Sequence, residues 1–167
     1  TKAATKAIAD FDGPVYLRFG RPKVPNFTPA DTPFQIGVAD VLTTGSDVTI
    51  AACGHLVWEA LEAANVLEAE GISAEVINFS TIKPLDKKAL LASVGKTGRL
   101  VTAEEHQRNG GLGDSLAQLL ALEMPSPVEM VAVNDSFGES GTPAQLMEKY
   151  GLDTKSIIAS VHRVMAR

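Results

Sequence analysis

Between Val101 and Leu120 the chain reads VTAEEHQRNGGLGDSLAQLL, which sets two carboxylates, an imidazole and three glycines at the end of an apolar run and the start of an amphipathic helix. Three roles fit those residue types: acid–base chemistry by Glu104, Glu105 or His106, a phosphate cradle built on Gly110, Gly111 and Gly113, or a turn that holds no ligand. A dinucleotide loop needs G-x-G-x-x-G directly between strand and helix, because the glycines let the backbone approach a pyrophosphate. Gly111 and Gly113 give the first spacing, but Leu116 stands at the third position and the insertion HQRN separates the strand from the glycines. The turn is the better supported reading. Gly110 and Gly111 permit positive φ, and the small residues let a helix start close against the sheet. Asp114 then falls in the first helical turn, where its charge favours the positive end of the dipole. Glu104 and Glu105 are neighbours on a strand and point to opposite faces, so they cannot serve as a paired acid and base. A carboxylate at a strand end needs a partner, either backbone amides or an arginine, and a structural or interface role is expected.

The remaining candidates are scattered. His55, His106 and His162 sit in separate elements with no H-x-x-x-H or C-x-x-C spacing, so no zinc site is expected. Cys53-Gly54-His55 places a thiol beside a histidine at the carboxyl end of a strand, where doubly wound sheets put their ligands. A nucleophilic cysteine, however, needs its histidine in space rather than merely in sequence, and a lone cysteine in an apolar strand reads as packing. In YLRFGRP, Arg18 lies within a strand-like run and Arg21 just past it. A guanidinium fork suits a phosphate or a carboxylate; on the residues alone an ordinary surface ion pair is the reading.

The elements that must position these residues alternate. TKAATKAIADF reads as the end of a helix, and VYLRF, from Val15 to Phe19, as a short strand. From Arg21 to Pro33 four prolines exclude a regular helix or a central strand and mark a linker. DVTIAAC is nearly continuous in apolar residues, as in a strand covered on both faces. HLVWEALEAANVLEAEG carries apolar residues at helical spacing and ends on Gly71, placed as a C-terminal cap. SAEVINF then leads to a helix from about Asp86 to Val94, RLVTAE to a helix from about Leu112, and PVEMVAVN, through DSFGESG, to two helical stretches. Strands alternating with helices across short loops predict a parallel or mostly parallel sheet with helices on both faces. Residues 41–167 are therefore expected to form one three-layer α/β domain.

Composition narrows the partners. The 167 residues are 45% hydrophobic with a net charge of −5, which supports one sizeable core and argues against nucleic acid or an anionic membrane as partner. The single cysteine excludes an internal disulfide framework and fits a reducing compartment, so a cytoplasmic location is expected. No apolar run is long enough for a membrane span and no signal-peptide order is present at the start. The chain begins with Thr1 inside a helix-like stretch, and is expected to be a piece of something longer.

Taken in order, GPVYLRFGRP, DVTIAACG, NFSTIKPLD, VTAEEHQRNGGLGDSLAQLL and DSFGESG resemble the C-terminal part of transketolases, most closely the form divided into two subunits. Deoxyxylulose phosphate synthases and the β subunits of 2-oxo acid dehydrogenases share this domain; the EEH and FGESG stretches favour transketolase. The resemblance implies a doubly wound sheet of about five strands whose main task is to support a dimer. It implies an edge of the pyrimidine-binding domain over 1–25, a linker over 26–40 and the complete C-terminal domain over 41–167. The parent enzyme would move a two-carbon ketol unit between sugar phosphates, as in the pentose phosphate pathway, using thiamin diphosphate and Mg2+ or Ca2+. The Gly-Asp-Gly motif that holds the metal in such enzymes does not occur here, so no cofactor, metal or catalytic residue is expected on this chain alone, and N-terminal domains or an N-terminal subunit would have to complete it. Arg21 matches the arginine that in transketolases resembles a ligand for the sugar phosphate, although Gly20 replaces the serine that often precedes it. Two rival readings follow from the same stretches: a module that docks a lipoyl-carrying partner, as in the oxo acid dehydrogenases, and a free-standing nucleotide-binding domain that uses the Gly111 loop.

Overall fold

The computed structural model describes residues 1–20, 23–29 and 32–167. Five strands, β1 (Asp40–Thr43), β2 (Val48–Ala52), β3 (Ala74–Asn78), β4 (Leu100–Gln107) and β5 (Val128–Val133), form one sheet in the order β1-β3-β2-β4-β5. β2 runs parallel to both its neighbours, with Ile50 opposite Val76 of β3 and Val101 of β4, and β4 runs parallel to β5. Only β1 is antiparallel, pairing Asp40 with Asn78 of β3. The helices are α1 (Lys2–Ala9), α2 (Leu56–Ala69), α3 (Lys87–Thr97), α4 (Leu112–Glu123), α5 (Pro143–Lys149) and α6 (Thr154–Met165).

Strand periodicity divides the core into two halves. Val48, Ile50 and Ala52 of β2, Val76 of β3 and Val101 and Ala103 of β4 pack with α2 and α6. Ala51, Ile77 and Leu100, pointing the other way, pack with Leu90 and Val94 of α3 and Leu112, Leu116 and Leu120 of α4. All five residues of β2 are buried, which explains why its sequence lacks the alternation of a half-solvated strand. The three-layer, mostly parallel α/β architecture is therefore as the sequence predicts.

Helix ends are fixed by identifiable groups. Asp86 accepts from the Ala89 amide at 2.9 Å at the start of α3, and Asp153 from the Ser156 amide at 2.9 Å at the start of α6. At the end of α2, Gly71 adopts φ +82 while its amide donates to the Glu68 carbonyl and that of Ile72 to the Leu67 carbonyl, the paired C-terminal closure that the glycine signals in sequence.

Two features differ from the sequence reading. The first is β1, an edge strand that the reading of the linker passes over; its four residues are too few and too exposed to show an alternating pattern. The second is the strand expected over Val15–Phe19, which does not form: residues 14–20 are irregular, with Val15, Tyr16 and Phe19 at 44%, 87% and 66% exposure. A β-prone run needs a neighbouring strand to bond its amides and carbonyls, and no described residue offers one. Among the described residues, no helix is long and apolar enough to cross a membrane.

Candidate functional site

The turn after β4 is built around Glu104. Pairing between β4 and β5 is interrupted between Ala103, opposite Val131, and Gln107, opposite Val133, so the three residues 104–106 of β4 stand against the single residue Ala132 of β5. Glu104 keeps the alternation of β4, on the side of Leu100 and opposite to Val101 and Ala103. Glu104, 2% exposed, turns toward α4, where its Oε2 accepts from the Leu112 amide at 2.7 Å and its Oε1 from the Gly113 amide at 2.8 Å. Gly111, the residue that caps α4, has no side chain to satisfy these first amides, so the strand supplies the acceptor. A β-carbon on Gly111 would stand 2.3 Å from Glu104 Oε2, and one on Gly113 2.6 Å from Thr102 Oγ1. Gly111 thus makes room for a protein carboxylate, in the place where a phosphate-binding loop would make room for its ligand, and Gly113 makes room for the Thr102 hydroxyl. Gly110 alone of the three has positive φ, +77, and its amide donates to Asp114 Oδ2 at 3.0 Å. Glu104 is the amide-held structural carboxylate that the sequence allows, and its occupancy of the glycine cradle removes the nucleotide reading of this loop.

Glu105 points the other way, as its neighbour's burial requires. Its Oε2 lies 3.5 Å from Nδ1 of His55, at the start of α2, and its carbonyl accepts from Arg18 Nη2 at 2.7 Å. Arg18 therefore meets a main-chain carbonyl rather than forming the surface ion pair expected of it. His55 and Glu105, with Val133, Pro143, Leu146 and Tyr150, line a shallow depression at the carboxyl ends of β2, β4 and β5. This is where open parallel sheets present groups to ligands. Nothing in the sequence links these residues: Arg18, His55 and Glu105 belong to three separate segments.

The other candidates do not converge. Burial, reinforced by the Glu104 and Glu105 carboxylates against the opposing Arg18 charge, pushes the Cys53 thiol up to about 12. At neutral pH such a thiol holds its proton, which suits packing and not nucleophilic attack. His106 is exposed and its Nδ1 lies 2.8 Å from the Gln107 carbonyl, while His162 stands 3.1 Å from Glu70 on another face. Among the described residues no three acidic, histidine or cysteine side chains gather as a metal would require. Arg21, the one substrate contact expected from the sequence, lies outside the described residues, immediately after Gly20.

Comparison with known proteins converges on one family. The profile of the "Transketolase, C-terminal domain" family matches residues 37–157. The 6-deoxy-6-sulfo-D-fructose transketolase subunit of Clostridium sp. (strain MSTE9) is 44% identical over 166 residues, covering 99% of this chain and 52% of that protein. An apulose-4-phosphate transketolase subunit of Phocaeicola vulgatus is 38% identical, covering 94% and 50%. A 1-deoxy-D-xylulose-5-phosphate synthase of Heliobacterium modesticaldum is 40% identical, covering 96% and 25%. In three dimensions, a structure described as the inactive β4 tetramer of a split-gene transketolase superposes with a TM-score of 0.94 at 48% identity, covering 98% of this chain and 55% of its own. The chain thus spans about half the length of the split-type relatives it matches.

Proposed function

This chain belongs to the transketolase C-terminal domain family, and from that premise we propose that it is the C-terminal part of a transketolase whose ketol transfer requires domains this chain does not carry. On this reading residues 1–25 are the edge of a pyrimidine-binding domain, 26–40 a linker, and 41–167 the complete C-terminal domain. The observation that carries it is the uncovered apolar strip Phe11, Val15, Tyr16 and Phe19, a β-prone run that finds no strand to pair with among the described residues. Exposed apolar groups of this extent mark a surface that something else covers. We propose that its cover is the remainder of the pyrimidine-binding domain, which corresponds to the half of the split-type subunits that this chain does not span, that the missing N-terminal domains or subunit also bind thiamin diphosphate and its metal ion, and that two such assemblies pair as a dimer.

Arg21 is proposed to grip the anionic end of the sugar substrate, a role that suits a planar guanidinium. The relatives' names pair this architecture with sugars that carry a sulfonate or a phosphate, so an anionic far end is the shared feature, and the pentose phosphates are one instance of it. Acid–base and thiazolium chemistry are assigned to the missing half.

The experiment is reconstitution. The chain is mixed with thiamin diphosphate, Mg2+, a ketose phosphate donor and an aldose phosphate acceptor, with and without the missing pyrimidine-binding and diphosphate-binding domains supplied as separate polypeptides. Ketol transfer only in the presence of those domains is the expected outcome, and turnover by the chain alone would overturn the reading. Release of a ketose formed from pyruvate, in place of transfer between sugars, would assign the chain to the synthase branch.

A further inference from the structure

Gly20 lies against the imidazole of His55 so closely that a β-carbon at position 20 would stand 2.5 Å from Nε2 and 3.0 Å from Cε1. Its backbone is not in the left-handed region, so the contact, and not the chain's conformation, is what calls for glycine there. The opposite side of the same ring faces the Glu105 carboxylate at 3.5 Å, and the ring is largely shielded from solvent, 17% exposed. Two residues earlier, Arg18 bonds the Glu105 carbonyl at 2.7 Å. Among the described residues this is the one hydrogen bond that joins 13–20 to the rest of the chain. The segment that leads to Arg21 is thus tied down at two adjacent points, a guanidinium on a carbonyl and a glycine on an imidazole, both at the carboxyl ends of β2 and β4.

We infer that His55 is a positioning residue for Arg21: its imidazole fills the side-chain space left empty at position 20 and, with the Arg18–Glu105 bond, docks the segment from which residue 21 departs. The last step rests on the proposed role of Arg21; the docking does not. A side chain at position 20 and the present seat of the imidazole exclude one another, so the effect of enlarging residue 20 must depend on what occupies position 55. Residues in direct contact are where additivity fails.

The test compares the full chain with its G20A, H55A and G20A/H55A variants. Trypsin cleavage after Arg18 reports undocking, because Arg18 must leave Glu105 to enter the protease, and proteolysis tracks the population of the open form. G20A is expected to speed this cleavage about tenfold when His55 is present and less than about twofold when residue 55 is alanine, a coupling that a general loss of stability does not produce. The same acceleration in both backgrounds, or equal cleavage of all four chains, overturns the docking. In the reconstituted enzyme, H55A and G20A are expected to raise KM for the anionic sugar about fivefold or more with kcat within about twofold, as for a contact used equally in ground and transition states. If R21A raises KM and H55A does not, the step to Arg21 is overturned while the proposed function stands. If R21A leaves KM unchanged, the reading of Arg21 fails and takes that step with it, whatever the protease shows.

Discussion

In the turn after β4, Glu104 receives two helix amides, Gly111 leaves it the space it occupies, and Asp114 closes the loop on Gly110. Between Phe11 and Phe19 the chain shows the reverse: four apolar side chains stand in solvent, and among the described residues Arg18 gives the one hydrogen bond that ties this stretch to the domain. Both stretches attract attention in the sequence for the same reason, reactive residue types beside glycines. Their difference teaches that a motif already satisfied by its own chain has little left to offer a ligand, whereas a stretch whose bonding demands are unmet points to what is absent. The functional reading therefore leans on the irregular N-terminal segment and not on the glycine-rich turn.

The comparison can be broken most sharply at Gly111. Alanine there puts a methyl carbon 2.3 Å from the Glu104 carboxylate. Displacing a buried, charge-assisted pair of hydrogen bonds and overpacking the turn together should cost about 3–5 kcal/mol, read from urea unfolding at pH 7. A loss below about 1 kcal/mol would mean that the turn is slack and available to a ligand after all.

The two adjacent carboxylates give the next test. Glu104→Gln replaces one acceptor with a donor that faces a helix amide, and should lose about 1–3 kcal/mol. Glu105→Gln, on an exposed side chain, should change stability by less than about 0.5 kcal/mol. Equal effects would contradict the division of roles between them.

A second buried carboxylate extends the self-satisfied side of the comparison. Burial raises the Glu75 carboxyl, but hydrogen bonds from Lys96, Ser93 and the Gly45 amide outweigh it and hold the group below its usual range. A carboxyl depressed in the folded state stabilises fully above the unfolded value, about pH 4.3, and that contribution is lost as pH falls through the lower folded value. Urea midpoints measured between pH 6 and about pH 3 should therefore decline for the natural chain, and decline less for Lys96→Met. The effect is expected to be smaller than that of Glu104→Gln, because Lys96 is half exposed.

The smallest effect on stability belongs to the open side. Tyr16→Ser with Phe19→Ser should shift the unfolding free energy of this chain by less than about 0.5 kcal/mol, since both rings already stand in water. The same pair should weaken, about tenfold or more by titration calorimetry, the affinity for the separately supplied pyrimidine-binding domain, as expected when aromatic anchors are removed from an interface. Unchanged binding would place the missing domains elsewhere.

Much of this protein was legible before its structure. Unbroken apolar runs marked β2, β3 and β4 as covered strands, helical spacing marked α2 and α4, and Asp86 and Gly71 marked helix ends, because each of these is a local demand that neighbouring residues answer. That Glu104 and Glu105 face opposite sides was also legible, from strand geometry alone, but which of them the helix amides hold was not. What could not be read were β1, whose four residues owe their state to pairing with β3, and the failure of Val15–Phe19 to become a strand, which depends on a partner that the run itself does not specify. The His55–Glu105–Arg18 cluster was equally hidden: its members are 37 and 87 residues from Arg18 along the chain, and only the parallel order of β2 and β4 sets their carboxyl ends side by side. Local chemistry, in short-range patterns, decided the elements and the role of the glycine turn; which distant groups meet was decided by sheet order, since that order is fixed by core burial summed over the whole domain and is written in no single stretch.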